Sequence, residues 1–328
     1  MSGCMETGKP LISILMAVYE PRLDWLREQL RSLEAQTYPN LKLYIRDDCS
    51  PTVPFDEIQR CAAECIHSFP YEIQRNEKNL GSNGTFELLT REAEGTYFAY
   101  CDQDDIWLPE KLKVLQEEME RGGAQLVCSD MYIIDGNGKQ TADSITKVRR
   151  HHRFRSGDDL APGLLISNFA TGCAALVQAE TAKAAVPFCP YMVHDHYLAL
   201  YAAAHGVVVS LPDKLILYRI HAENQTLMMA GVRDKASYYQ VRIQALVHRF
   251  EWLQAAFQHD ADLSAEISTA LVWARARAEN FCGNVRAKGT VLKYRRYSPL
   301  TSLFEVVMSG MPERAFMGFV ELKRKNYL

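Results

Sequence analysis

Acidic side chains are concentrated where one short apolar run of this sequence ends. Asp102 and Asp104 are separated only by Gln103, and Asp105 follows them directly. Carboxylate oxygens are hard ligands, so two carboxylates in this spacing can share one divalent cation, and such a cation stabilises a departing pyrophosphate. The alternative is an ordinary acidic loop whose charges favour the N-terminus of a helix opened by Pro109.

Other residues whose side chains could take part in catalysis or binding occur in pairs where apolar runs begin or end. They are Asp47 with Asp48, His194 with Asp195, and Arg219 with His221. A carboxylate such as Asp195 can take a proton from a hydroxyl group when it is held in a desolvated site. Its alternative role is to cap the helix that follows. For Asp47 the alternative is a turn residue that accepts local backbone hydrogen bonds.

Strands and helices must position these residues. Apolar runs of strand length lie at 11–18, 41–45 and 97–101, a further strand is expected at 71–74, and amphipathic segments separate these strands. This pattern predicts an α/β fold with a parallel sheet covered on both faces, in which ligands bind beyond the carboxyl ends of the strands. The polar residues after positions 18, 45 and 101 are therefore expected at one sheet edge. Two separate short strands are predicted at 207–211 and 215–217.

Composition and charge describe an ordinary globular protein. Hydrophobic residues make up 48% of the 328 residues, charged residues make up 23%, and the formal net charge of −3 gives no excess for binding nucleic acid. The nine cysteines form no CxxC pair, which predicts reduced thiols in a cytoplasmic protein. A membrane-spanning helix is not expected, because Pro162, Gly163 and Asn168 interrupt the longest apolar stretch.

Seven motifs occur in an order that resembles a known enzyme family. They are VYEP, RDDCSP, NEKNLGSNGTF, YCDQDDIWLPEKL, TGCAAL, HDHYLAL and YRIHAENQ, within residues 11–226. Together they resemble the inverting glycosyltransferases of family 2, which share the GT-A fold. The resemblance implies a GT-A catalytic domain over residues 1–230, with a Rossmann-like, mostly parallel central sheet flanked by helices. Residues 231–328 would be a helical C-terminal extension.

The resemblance also implies roles for individual residues at the nucleotide. Asp48 would accept a hydrogen bond from the imide N3–H of a pyrimidine base, which favours UDP or dTDP over a guanine nucleotide. Cys49 stands where the family usually has glycine. The other residues expected at the nucleotide and pyrophosphate are Val18, Tyr19, Glu20, Asp47, Asn79, Asn83, Asp102, Gln103 and Arg219.

At the transfer site, the resemblance implies a metal ion and a general base. Mg²⁺ or Mn²⁺ would be held by Asp102, Asp104 and His221. Asp195 would deprotonate the acceptor hydroxyl group during a single displacement with inversion. The residues expected against the acceptor or the donor sugar are Gly172, Cys173 and His194.

The donor is indicated by a narrower resemblance. The forms RDD, DQDDIWLPEKL, HD and YRxHxxN are most similar to bacterial rhamnosyltransferases that assemble cell-wall or capsular polysaccharide. The expected reaction transfers L-rhamnose from dTDP-L-rhamnose to a hydroxyl group of a growing glycan, either free or lipid-linked. The alternatives are a UDP-hexose or UDP-N-acetylhexosamine donor, and a non-catalytic protein that only binds a nucleotide sugar.

The last hundred residues are expected to be helices in which basic and apolar residues are interleaved. The basic ones are Lys288, Lys293, Arg295, Arg296, Lys323, Arg324 and Lys325, and the apolar ones include Phe304, Met308, Met311, Phe316 and Phe319. This composition suits peripheral contact with the anionic inner face of the cell membrane. The alternatives are packing against the catalytic core and a homodimer.

Overall fold

The computed structural model describes residues 8–149, 151–221 and 231–325. The described residues form two compact units. The first contains those up to Leu160 with Asn168–Phe188 and Val193–His221, and the second contains Ala161–Ser167, Cys189–Met192 and those from 231 onward. The division predicted at residue 230 stays a prediction, because 222–230 lie outside the described ranges.

The first unit begins with a parallel sheet and its connecting helices. The strands are β1 (Ile12–Val18), β2 (Leu41–Asp47), β3 (Tyr71–Arg75) and β4 (Tyr97–Cys101), in the order β3-β2-β1-β4. They alternate with α1 (Leu23–Glu34), α2 (Phe55–Cys65) and α3 (Gly81–Glu92). Neighbouring strands among these four are parallel. The predicted α/β fold with a parallel sheet is confirmed.

Beyond β4 the sheet continues with strands of mixed direction. They are β5 (Ile106–Trp107), β6 (Leu126–Ile134), β7 (Gln140–Ala142), β8 (Ala175–Gln178) and β9 (Val208–Arg219), in the order β4-β8-β6-β9-β5 with β7 beside β6. β8 is antiparallel to β4 and β6, β9 is parallel to β6, and β5 is antiparallel to β9. The accompanying helices are α4 (Lys111–Gly122), α5 (Ile145–Val148), α6 (Ala161–Leu164), which belongs to the second unit, α7 (Ala179–Ala184) and α8 (His194–His205).

The prediction of two short strands at 207–211 and 215–217 is wrong, because β9 is one continuous strand. The register of β9 against β6 shifts around Pro212 and Asp213. Proline lacks an N–H donor and is tolerated in a strand at such an irregularity. The apolar pattern therefore breaks at Pro212 although the extended chain continues.

Three strands end at the same edge of the sheet. Val18, the last residue of β1, pairs with Asp47, the last residue of β2. Met16 of β1 pairs with Cys101, the last residue of β4. The polar segments after these strands therefore emerge side by side, as predicted.

The second unit is helical after position 231. Its helices are α9 (Lys235–Tyr238), α10 (Ala245–Ala256), α11 (Ala261–Phe281), α12 (Ala287–Lys293), α13 (Pro299–Met308) and α14 (Glu313–Lys325), with a π-helical segment at Tyr239–Gln244 and a 3₁₀ turn at Arg295–Tyr297. Within the described ranges, no helix combines the length and the apolar character that crossing a bilayer needs.

A buried ion pair and an aromatic cluster form the core of this unit. Arg277 donates to both carboxylate oxygens of Glu305 at 2.6 Å, and the Tyr238 hydroxyl donates to the same carboxylate at 2.8 Å. The apolar cluster that contains Tyr238 includes Phe304, Met308, Met311, Phe316 and Phe319. Met308 and Phe316 are buried in this cluster, and Phe304, Met311 and Phe319 are partly buried against it. The contact of these helices with a membrane stays a prediction.

Candidate active site

The loop after β4, which we call the acid loop (residues 102–105), groups its carboxylates in an unexpected way. Ligand atoms of Asp102, Asp105 and Cys173 all lie within 4.8 Å of one another. Asp104 makes a different contact, with Oδ2 2.7 Å from Nε2 of His221. The structure thus brings together the predicted pair Asp104 and His221. It also adds Asp105, which sequence reasoning missed although it is the third acid of the same motif.

Burial and mutual repulsion disfavour the charged forms of these carboxyl groups. Burial raises the pKa of Asp102 to about 7, and the charges of Asp104 and Asp195 contribute to the rise. Burial, with the charges of Asp104 and Asp102, also raises the pKa of Asp105 well above its usual range. Oδ2 of Asp105 has no hydrogen-bond partner in the part of the chain that the structure describes. The described residues therefore offset the repulsion at Asp102 and Asp105 only in part.

This donor set fits a hard divalent cation. Carboxylate oxygens such as those of Asp102, Asp104 and Asp105 are the ligands that Mg²⁺ and Mn²⁺ prefer. A cation would offset the repulsion that contributes to the raised pKa values of Asp102 and Asp105. The Cys173 thiol is an unsuitable ligand, because burial and the nearby carboxylates raise its pKa and keep it protonated. The imidazole of His221 lies next to this donor set, with Nε2 2.7 Å from Oδ2 of Asp104.

A buried lysine lies next to the acid loop, and sequence reasoning missed it. Lys111, the first residue of α4, is 0% exposed. Its Nζ donates to the carbonyl of Cys173 at 2.6 Å and lies 2.9 Å from the ring centroid of Trp107. Burial lowers the pKa of Lys111 to about 7. The one signal in the sequence is a basic residue at a helix start, where the helix dipole disfavours it.

Arg219, at the end of β9, holds the acid loop in place. Its backbone N–H donates to Asp105 at 2.9 Å, and its Nε donates to the carbonyl of Asp104 at 2.7 Å. A second guanidinium nitrogen lies 2.6 Å from Glu28, and the guanidinium stacks over the ring of Trp25. The predicted contact of Arg219 with the nucleotide stays a prediction. Its observed contacts give it a positioning role.

The loop after β1 is tied to both neighbouring loops. The backbone of Tyr19 bonds to the side chain of Gln103 in the acid loop. The N–H of Glu20 donates to the Ser50 hydroxyl at 2.8 Å, and its carboxylate accepts from the Thr52 N–H at 2.8 Å and from the Thr52 hydroxyl. The bonds from Thr52 lower the pKa of Glu20. Gln103 and Glu20 thus connect the three loops at the sheet edge.

Asp48 is fixed through one of its two carboxylate oxygens. Its Oδ1 accepts from the side-chain amide of Asn76 at 2.8 Å and from the N–H of Leu80 at 2.7 Å, while its own N–H donates to the carbonyl of Val18 at 2.7 Å. The described residues provide no hydrogen bond to Oδ2. Asp48 is therefore oriented with one oxygen left for a ligand. Sequence reasoning missed Asn76, which stands first in the NEKNLGSNGTF motif.

Asp47 acts as a turn residue in the structure. Its carboxylate, which is 0% exposed, accepts from the amide and hydroxyl groups of Ser50 and pairs with Arg75 at 3.1 Å. Next to this turn, Cys49 has a φ of 60°, in the left-handed region that glycine favours. The turn thus has the backbone conformation expected for the glycine that Cys49 replaces. A contact of Asp47 with the nucleotide stays a prediction.

The two predicted asparagines support neighbouring helices. Oδ1 of Asn79 accepts from the N–H of Gly81 at 3.0 Å, at the start of α3. Oδ1 of Asn83 accepts from the N–H of His194 at 2.8 Å. This N–H lies in the first turn of α8, where backbone N–H groups have no acceptor within the helix. Asn83 therefore positions the helix that carries Asp195.

The 3₁₀ turn at Gly172–Ala174, which we call the Gly172 turn, packs closely against the start of α8. The N–H of Gly172 donates to Oδ2 of Asp195 at 3.0 Å. A Cβ at position 172 would lie 3.0 Å from Nε2 of His194 and 3.1 Å from Cβ of Asp195, so only glycine fits without displacement. The N-cap of α8 is Val193, which excludes the capping role for Asp195. The contacts of Gly172, Cys173 and His194 with a sugar stay predictions.

A protein-family model described as glycosyl transferase family 2 matches residues 13–180, which is just over half of the 328 residues. The chain belongs to glycosyl transferase family 2. The matched region contains the acid loop and the Gly172 turn, whereas Asp195 and His221 follow it. The candidate base of this family 2 glycosyltransferase, Asp195, therefore lies outside the residues that the family model matches.

Curated relatives of this family 2 chain include an uncharacterized glycosyltransferase of Methanocaldococcus jannaschii. It is 32% identical over 139 residues, which are 40% of this chain and 46% of the relative, so the match spans less than half the length of that protein. WfaP of Escherichia coli is described as a UDP-Glc:alpha-D-GlcNAc-diphosphoundecaprenol beta-1,3-glucosyltransferase. It is 25% identical over 214 residues, which are 65% of this chain and 78% of WfaP.

Solved structures with a similar fold include TarS of S. aureus, residues 1–349, in complex with UDP-GlcNAc. It aligns with a TM-score of 0.56 and 15% identity over 89% of this chain and 82% of that one. The mannosyltransferase PcManGT of Pyrobaculum calidifontis, in complex with GDP-Man and Mn²⁺, aligns with a TM-score of 0.52 and 16% identity over 97% and 88% of the two chains. At such identities the likeness concerns the fold alone. The predicted GT-A fold with C-terminal helices is confirmed.

Proposed function

We propose that this family 2 glycosyltransferase is an inverting, metal-dependent enzyme that transfers a sugar from a pyrimidine nucleotide to a hydroxyl group of a growing bacterial glycan. The acid loop carries the proposal. The pKa values of Asp102 and Asp105 are raised, and Oδ2 of Asp104 lies 2.7 Å from Nε2 of His221. A bound divalent cation would offset the repulsion between these carboxylates. A nucleoside diphosphate leaving group is stabilised by such a cation.

Each side of the site has its own task. Asp102, Asp104 and His221 would hold Mg²⁺ or Mn²⁺, which when bound offsets the charge of the leaving diphosphate. Asp48 would accept the imide N–H of the base through Oδ2, because Asn76 and Leu80 occupy Oδ1.

Asp195 would act as the general base. The Gly172 N–H holds its Oδ2, which leaves Oδ1 to take the proton of the acceptor hydroxyl. The acceptor oxygen forms a bond to the anomeric carbon as the bond from that carbon to the diphosphate breaks, and the electron pair leaves with the diphosphate. Attack from the opposite face gives inversion.

The first donor that we propose is dTDP-L-rhamnose, because the RDD, DQDDIWLPEKL, HD and YRxHxxN forms resemble rhamnosyltransferases. The second is a UDP-hexose or UDP-N-acetylhexosamine, which is favoured by the UDP-Glc in the description of WfaP. That description also names a diphosphoundecaprenol acceptor, and we propose a lipid-linked glycan as the acceptor class here. A protein that only binds nucleotide sugars is less well supported, since Asp48, Asp102, Asp104 and Asp195 are all present.

Release of nucleoside diphosphate tests the proposal without knowledge of the acceptor, since water can slowly replace the hydroxyl substrate. The purified chain is incubated with Mn²⁺ and each of dTDP-L-rhamnose, UDP-glucose, UDP-N-acetylglucosamine and GDP-mannose. One pyrimidine donor should be turned over, and Asp195→Asn should reduce this rate by about 10²- to 10⁴-fold while donor binding is kept. Turnover that is unchanged in Asp195→Asn would contradict the assignment of the base.

A further inference from the structure

Helix α13 exposes an apolar stripe. Leu300, Leu303 and Val307 are 67%, 51% and 66% exposed. Their spacing of three and four residues places them on one face of the helix. The buried residues of the same helix are Ser302, Glu305 and Met308. We call the three exposed side chains the α13 stripe.

The sequence around the α13 stripe is strongly basic. Residues 282–312 include one acidic residue, Glu305, and its charge is compensated internally because it is 0% exposed and paired with Arg277 at 2.6 Å. The five basic residues of the same segment are Arg286, Lys288, Lys293, Arg295 and Arg296. Arg296 pairs with Glu266 at 2.7 Å. The segment that carries the α13 stripe therefore has a net positive charge at its surface.

We propose that the α13 stripe and the basic residues before it form a surface that binds an anionic phospholipid membrane. The apolar side chains would enter the boundary between headgroups and acyl chains, and the basic side chains would contact anionic headgroups. This surface consists of other residues than the aromatic ones singled out in the sequence, since Phe316 is buried and Phe304 and Phe319 are partly buried in the cluster around Tyr238. Binding to such a membrane would depend on these exposed apolar and basic side chains and not on the identity of the donor or the acceptor.

The charge distribution favours a lipid surface over a second copy of the chain. In a twofold contact through the α13 stripe, the same patch of both copies would meet. The five basic residues of each copy would then lie near those of the other, which costs electrostatic free energy. An anionic membrane instead attracts this charge, at roughly 1 kcal/mol for each basic residue near the surface.

Vesicle flotation of the full chain tests the proposal. The probes are vesicles of phosphatidylcholine alone and of equal parts phosphatidylcholine and phosphatidylglycerol. The triple variant Leu300→Gln, Leu303→Gln, Val307→Gln removes the stripe, and Val272→Gln is the matched control, because Val272 is also an exposed valine in α11 of the same unit, 47% exposed. A second variant, Lys293→Gln with Arg295→Gln, removes charge and leaves the stripe intact. Circular dichroism and thermal melting establish that each variant is folded.

The wild type and Val272→Gln should bind the anionic vesicles and lose binding as salt is added. The triple variant and the charge variant should each bind the anionic vesicles about tenfold more weakly than the wild type does. Nucleoside diphosphate release in the absence of vesicles should not change in any variant, which separates this inference from the proposed function. Equal binding to both vesicle types, or unchanged binding of the folded triple variant, would overturn the proposal. A dimer that only the triple variant loses, without vesicle binding by the wild type, would assign the stripe to a second copy instead.

Discussion

The side-chain amide of Gln103 is hydrogen-bonded to both backbone groups of Tyr19. Its Oε1 accepts from the Tyr19 N–H at 2.8 Å, and its Nε2 donates to the Tyr19 carbonyl at 3.0 Å. Tyr19 follows β1 and Gln103 follows β4, so this pair joins the two loops on which the donor is expected to lie. The residue between Asp102 and Asp104 thus sets the position of the loop beside them.

Replacement of Gln103 separates hydrogen bonding from charge. Gln103→Ala removes both bonds and should lower the free energy of unfolding by about 1 kcal/mol. Gln103→Glu also loses the donor and adds a negative charge beside Asp102, so in the presence of Mn²⁺ it should weaken nucleotide-sugar binding more than the alanine variant does. Chemical denaturation and calorimetry measure the two effects. Equal donor affinity in both variants would show that the added charge does not reach the site.

Addition of one methyl group at Gly172 should disturb the candidate base. A Cβ there would lie 3.0 Å from Nε2 of His194 and 3.1 Å from Cβ of Asp195, tighter than most Cβ contacts in proteins, so these neighbours would have to shift by a few tenths of an ångström. Gly172→Ala should destabilise the fold by about 1–3 kcal/mol and lower turnover more than donor affinity. Gly289→Ala in α12 is the matched control, since a Cβ added at position 289 has no neighbouring atom within 4 Å. The account of this turn fails if Gly172→Ala is as active as the control.

The buried imidazole of His194 should make stability depend on pH. Burial lowers its pKa from 6.5 to about 4, and both ring nitrogens lack a hydrogen-bond partner among the described residues. Below pH 6.5 His194 is therefore protonated in the unfolded chain, whereas in the folded chain it stays neutral down to about pH 4. The free energy of unfolding should fall by about 3 kcal/mol as the pH decreases from 6.5 to 4.

His194→Leu should remove that part of the pH dependence and keep stability near pH 7 within about 1 kcal/mol. Denaturation at a series of pH values measures it. His152→Leu provides a comparison, because burial also lowers the pKa of His152 to about 4. An unchanged slope in His194→Leu would mean that His194 titrates alike in both states.

Two residues other than glycine have positive φ at the sheet edge, and they should respond differently to glycine. Cys49 has a φ of 60° and Glu20 a φ of 46°. Cys49→Gly relieves the strain and should raise the free energy of unfolding by about 0.5 kcal/mol. Glu20→Gly relieves similar strain but loses the bonds to Thr52, so it should lower stability by about 1 kcal/mol. Equal effects in denaturant titrations would contradict the role assigned to the Glu20 carboxylate.

These positions show what the sequence could predict. The strands β1, β2 and β4 follow from apolar runs that end in polar residues, because burial on both faces leaves no alternation. The grouping of Asp104 with His221 was within reach only through the resemblance, since the two residues are far apart in sequence. Lys111 and Asn76 were missed because their roles depend on burial. The position of Lys111 at a helix start does not by itself show that the side chain is buried, and no local pattern marks Asn76 as a buried amide.

The apolar residues of the C-terminal helices show a second reason for failure. Phe316 and Leu300 both look like surface anchors beside basic residues, yet Phe316 is 0% exposed and Leu300 is 67% exposed. Which face of each helix is buried depends on the neighbouring helices, so helical period alone does not decide it.

Calorimetric titration with nucleotide sugars tests the central claim most directly, because it requires no acceptor. The purified chain and Asp104→Asn are titrated with dTDP-L-rhamnose, UDP-glucose, UDP-N-acetylglucosamine and GDP-mannose, each with Mn²⁺ and with chelator. The account predicts that the wild type binds a pyrimidine donor with Mn²⁺, that chelator abolishes this binding, and that Asp104→Asn loses most of it. If the folded wild type binds none of the four, or binds one equally well with chelator, then the acid loop is not a metal and pyrophosphate site.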